Sequence, residues 1–137
     1  MFALCIEASH SKGMGHLFRM LNFSTYLDKQ NEEFVFFINN DNKTKHILNN
    51  NNINYETVDL FESQSNWEND LIGKYEVDFW INDRLNTTEK HSLNIKKNLQ
   101  IVRKIISKKA KNIFLLHQFH SNKFIYIDDK YKNKKKP

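Results

Sequence analysis

The sequence predicts an α/β protein: a Rossmann-like parallel sheet of about five to six strands with helices on both faces. Two observations carry this. Short β-rich apolar runs alternate with helical segments along the chain, and strands separated in this way need crossovers, which parallel pairing supplies. One run, Phe34–Ile38 (FVFFI), is apolar throughout, as strands buried on both faces are.

Residues 2–7 (FALCIE) form the first β-rich run, followed by a polar stretch and then Gly13-Met14-Gly15-His16. That order predicts a strand, a turn and a helix start. From residue 15 to about residue 30, Leu17, Met20, Leu21 and Leu27 share one helical stripe, and Asn31-Glu32-Glu33 breaks it. Beyond Phe34–Ile38 the pattern repeats: a helix over Asn42–Asn50, a strand over 53–58, a helix over 63–72 and a strand over 77–81. A long helix is predicted over 87–111 with Leu93, Ile95, Leu99, Ile101, Val102, Ile105 and Ile106 inward, and a last strand over Phe124–Ile127. Residues 113–119 read equally as an extra strand or a helix end. Trp80 belongs to an apolar strand, and both Trp67 and Trp80 are expected in the core rather than as stacking platforms.

A chain of 137 residues makes one domain, assigned to 1–129, with a basic tail over 130–137 expected to be disordered. The net charge of +5 comes from that tail. Five of the 21 Lys and Arg lie within it, so 1–129 carries 16 of each sign. A neutral body gives no basic groove, which argues against nucleic acid as a partner. No apolar run approaches the length of a membrane span, and one cysteine, Cys5, forms no internal disulfide. A cytoplasmic setting is the expectation.

The strongest chemical signal is Gly13-x-Gly15-His16-x-x-Arg19 between the first strand and the first helix. Glycines there allow a tight turn and close approach of a ligand to the first N–H groups of the helix. His16 in the first turn is disfavoured as a cation by the positive helix end, which suits a general base. Arg19, three residues on, shares its face and can hold an anion through a bidentate fork. Other groupings are weaker. His117 and His120 have a helical spacing that could face a metal, but no Cys or carboxylate pair accompanies them, so no metal and no cofactor is assigned. His10 is read as a solvated loop residue.

The seven-residue pattern resembles that of the family of UDP-sugar hydrolases and related proteins of pseudaminic acid and spore-coat polysaccharide biosynthesis, whose fold is that of two-domain, GT-B-type glycosyltransferases. The likeness is good over residues 1–40 and collinear but weaker to Asp129. Glu7 stands where the family has an Asp at the end of the first strand, and Cys5 replaces an Arg. Ile81-Asn82-Asp83-Arg84-Leu85 falls where the family places polar residues over the substrate cleft, without its Asp-x-Tyr, and Ile127-Asp128-Asp129 is similar to a hydrophobic-Asp-Asp that ends a later strand.

The resemblance implies inverting hydrolysis of a UDP-linked diacetamido sugar. His16 would position or deprotonate the attacking water, and Glu7, Gly13, Met14, Gly15, Arg19, Asp83 and Arg84 would bind substrate. It also implies a partner: a second Rossmann-like domain that holds the uridine nucleotide and would begin where this chain ends, so that the 137 residues alone are expected to be inactive. Two alternatives stay open at this point. One is a glycosyltransferase acceptor domain, and the other is a stand-alone module that binds an anionic metabolite or a partner subunit without turnover.

Overall fold

The structure, a computed structural model, describes residues 1–9, 14–62, 64–84, 88–99 and 124–127. In chain order the elements are β1 (Phe2–Ile6), α1 (Gly15–Lys29), β2 (Phe34–Ile38), α2 (Asn42–Asn50), β3 (Tyr55–Thr57), α3 (Trp67–Tyr75), β4 (Phe79–Asp83), α4 (Glu89–Leu99) and β5 (Phe124–Ile127). The strands form one sheet in the order β3-β2-β1-β4-β5. Every neighbouring pair is parallel, with Ile6 beside Ile38 on one flank and Asp83 on the other. The α/β class, the parallel sheet and the flanking helices agree with the sequence.

The alternation of side chains along each strand sorts the core into two layers. Phe2, Leu4, Ile6, Phe36, Ile38, Phe79 and Ile81 pack against Leu17, Met20 and Leu27 of α1 and Leu48 of α2. On the opposite face Ala3, Cys5, Val35, Phe37 and Trp80 pack against Leu71 and Ile72 of α3 and Ile95 of α4. Both faces of β1 and β2 are thus buried, which is why their sequences are apolar without alternation. Ser24 lies inside the buried stripe of α1, and its hydroxyl donates to the Leu21 carbonyl at 2.7 Å.

Local chemistry fixes the helix ends. Asp41 caps α2, its carboxylate accepting from the Thr44 N–H at 3.0 Å and the Thr44 hydroxyl at 2.7 Å. The Thr88 hydroxyl accepts the His91 N–H at 3.1 Å at the start of α4. Asn31, Asn52 and Glu76 close α1, α2 and α3 with φ of 58°, 55° and 52°, a conformation natural for Asn and strained for Glu.

The structure corrects several boundaries. The third helix runs over Trp67–Tyr75 rather than 63–72, because the Glu62 carboxylate binds the Gln64 and Ser65 N–H groups, each at 2.6 Å, and turns the chain first. The fourth strand is Phe79–Asp83, not 77–81: Val77 and Asp78 are spent on bonds to Ile72 and Met1, and burial continues through Asn82 and Asp83. The third strand contracts to Tyr55–Thr57. Leu93 was expected inward but is 57% exposed. The inward face of α4 belongs to His91 and Ile95, four residues apart, and a residue midway between them points the other way. Positions 101–106, the ambiguous stretch 113–119, the tail 130–137, and Gly13, His10, His117 and His120 lie outside the described residues. No helix among the described residues is long and apolar enough to cross a membrane.

Candidate functional site

The strand order reverses direction between β1 and β4: the chain leaves β1 toward α1 on one face and leaves β4 toward α4 on the other. A crevice at the carboxyl ends of the strands, at such a switch point, is where open α/β sheets bind ligands. β1 brings Glu7 and Ala8 there, and β4 brings Asp83 and Arg84. The loop after β1 is held by Asn39 at the end of β2. Its amide accepts the Ala8 N–H at 3.0 Å and donates to the Ala8 carbonyl at 2.8 Å, standing in for a backbone partner.

Asp83 is the centre of the arrangement. It alternates with Ile81 on the α1 side of the sheet and has no exposed surface. Its Oδ1 accepts from His16 Nδ1 at 2.7 Å and from Arg19 Nη2 at 2.5 Å, and its Oδ2 accepts from Arg19 Nε at 2.6 Å. Arg19 therefore grips the carboxylate with its fork, and the 3.4 Å approach of its Nη2 to His16 Nδ1 follows from their sharing Oδ1. A carboxylate only accepts, so Nδ1 of His16 carries the proton in this contact and the lone pair of the neutral ring lies on Nε2. Because Arg19 offsets the charge of Asp83, the carboxylate serves His16 chiefly as an orienting acceptor. A neutral imidazole held through Nδ1 can accept a proton only at Nε2.

His16 and Arg19 come together as the sequence predicts, and Asp83 joins them from β4. The Arg19 fork holds the Asp83 carboxylate, which is buried against His16. Arg84 is separated from Asp83 because neighbouring residues at a strand end face opposite sides. It is wholly buried on the α3–α4 side, where Nη2 donates to the Leu60 carbonyl at 3.2 Å and the guanidinium lies 5.2 Å from the Phe61 ring centroid. Its Nε and Nη1 are buried without a hydrogen-bond partner. His16 is itself buried, 7% exposed, not a surface residue of the helix start.

Gly15 opens α1, and a Cβ built there would meet nothing within 4 Å. Local packing does not demand glycine at this position. Met14 precedes it at the helix N-cap and offers no side-chain capping bond, while Glu7 is buried at the end of β1.

Behind the site lies a polar cluster that sequence reasoning missed. His91 Nδ1 meets Glu68 Oε2 at 2.7 Å, its Nε2 lies 3.1 Å from the Asn82 amide nitrogen, and the Trp80 indole donates to Asn82 Oδ1 at 2.8 Å. Burial, first of all, pushes the His91 pKa below the usual histidine value; Glu68 opposes this, and the charge of Arg84 adds to it. The signal available in the sequence was the spacing of His91 and Ile95 on one helical face.

Compared with family models, with curated proteins and with solved structures, the chain matches none.

Proposed function

We propose that the chain is the sugar-facing half of a cytoplasmic nucleotide-sugar hydrolase, built like one half of a GT-B fold, that cleaves a UDP-linked diacetamido sugar with His16 as general base. The observation that carries this reading is the His16–Asp83 pair at the switch point, braced by Arg19. Asp83 holds the ring with Nε2 as the base. A water gives its proton to Nε2 as its oxygen bonds to the anomeric carbon, and the bond from that carbon to the diphosphate breaks, the diphosphate leaving with the electron pair. Glu7, Gly13, Met14 and Gly15 would line the sugar's approach, Arg19 and Asp83 would hold His16, and a second domain would supply the nucleotide site.

The test is hydrolysis of the UDP-linked sugar by the protein together with the proposed second domain, wild type against His16→Asn. Asparagine can still donate to Asp83 but is not a base at this pH, so kcat should fall roughly 10²–10⁴-fold with KM little changed. Near-normal kcat would remove His16 from the chemistry.

A further inference from the structure

Two strands over from β4, at the same end of the sheet, the segments that follow β2 and β3 enclose a second feature. It is a cleft of about 370 Å³ between Asn39-Asn40 and Thr57–Phe61, within the range of small-molecule sites. Its lining mixes apolar and polar residues. Phe61 is 48% exposed there, yet its ring is not loose: Asp59 Oδ1 accepts its N–H at 3.2 Å, and Arg84 supports the ring from 5.2 Å while holding the adjacent Leu60 carbonyl. The protein thus fixes a flat apolar surface at the cleft by means of a buried cation. Asn40, Thr57 and Asp59 line the same cleft and bring an amide, a hydroxyl and a carboxylate to it.

From this we infer that the cleft binds a neutral, hydroxylated sugar ring, its C–H face on Phe61 and its hydroxyls on Asn40, Thr57 and Asp59. Donors and acceptors mixed along the cleft suit hydroxyl groups, which are both. The carboxylate of Asp59 repels a phosphate or a carboxylate ligand. The inference deepens the proposed reading by naming what the sugar-facing side grips. It rests on that reading only for the sugar's fate, since the cleft and the His16–Asp83 pair are separate groups of residues.

The experiment is a ¹H–¹⁵N NMR titration of the full chain with methyl β-glucoside, N-acetylglucosamine, uridine and uracil. Saturable shifts of the Asn40, Asp59 and Phe61 amides are expected with a pyranose or with uridine. A pyranose response marks a free or conjugated hexose, and a uridine response marks the ribose of a nucleoside. Phe61→Leu, which keeps apolar bulk without the flat face, should weaken binding about fivefold, and His16→Asn should leave it unchanged. If Phe61→Leu loses the wild-type peak dispersion, Asp59→Asn, which keeps an acceptor for the Phe61 N–H, should weaken binding instead. Saturating concentrations of every sugar without shifts at these amides, an equal response to uracil alone, or full binding by the folded variant would overturn the inference. Sugar binding without hydrolysis removes only the proposed reaction, and hydrolysis without these shifts removes only the cleft.

Discussion

Replacing Asp83 by Asn tests the architecture of the site independently of any substrate. The carboxylate is wholly buried and accepts three hydrogen bonds, two from Arg19 and one from His16. An amide keeps the shape, presents one oxygen, and turns an NH₂ group toward donors. Breaking a fully buried ion pair costs about 3–5 kcal/mol. Here the Arg19 side chain is 46% exposed and can turn to water, so the loss should be smaller, about 2–3 kcal/mol. For a domain of this size, at about 3 °C per kcal/mol, the melting temperature should fall by about 6–9 °C. Thermal unfolding followed by far-UV circular dichroism measures this directly. The double variant Arg19→Met/Asp83→Asn should lose less than the sum of the two single losses, because the partners share one interaction. A drop below about 2 °C for Asp83→Asn would show that the cluster contributes little to the fold and would refute this reasoning.

Three further outcomes are expected. The folded His91 resists protonation while the unfolded chain takes up the proton near pH 6.5, so stability should be full above about 6.5 and decline as the pH falls toward the lower folded pKa; urea midpoints across this window should flatten in His91→Gln. Arg84→Met removes a buried cation with two unpartnered nitrogens and should leave the melting temperature equal or higher, whereas a fall beyond about 5 °C would mean that its contacts with Leu60 and Phe61 outweigh the charge's burial. Gly15→Ala meets open space and should stabilise α1 by up to about 1 kcal/mol in urea unfolding.

How much of this was legible in the sequence depends on the range of the interaction involved. Phe34–Ile38 and Asn42–Asn50 fall where the pattern places them, because an apolar strand and an Asp41-capped helix are specified by adjacent residues. The fourth strand slid by two residues because its far end is decided by Asn82 meeting His91 and by Asp83 meeting His16, partners on two different helices. Leu93 misled because Leu93 and Ile95, two positions apart, both read as belonging to the inward face of one helix, and only the buried His91 shows which side of α4 faces the sheet. At the site, the spacing of His16 and Arg19 carried through. Their shared attachment to Asp83 spans more than sixty positions and leaves no periodic trace. The opposite orientations of Asp83 and Arg84 were latent in strand alternation once the strand was known to extend to residue 83.

The placement of the tryptophans decides what optical methods will see. Both of the chain's tryptophans lie on the α3–α4 side of the sheet, with ring centroids 6.0 Å apart, and the His91 ring lies 5.2 Å from Trp67 and 5.7 Å from Trp80. Intrinsic emission is therefore a one-sided reporter. It registers solvent entry beneath α3 and α4, and quenching as His91 gains its proton, but it is blind to α1 and its contacts. Two rings this close should also couple excitonically in the near ultraviolet, a band that vanishes when that layer loosens. If emission and the far-ultraviolet signal melt together, the two faces of the sheet open as one cooperative unit; if the fluorescence moves first, the α3–α4 layer peels away while α1 still covers the other side.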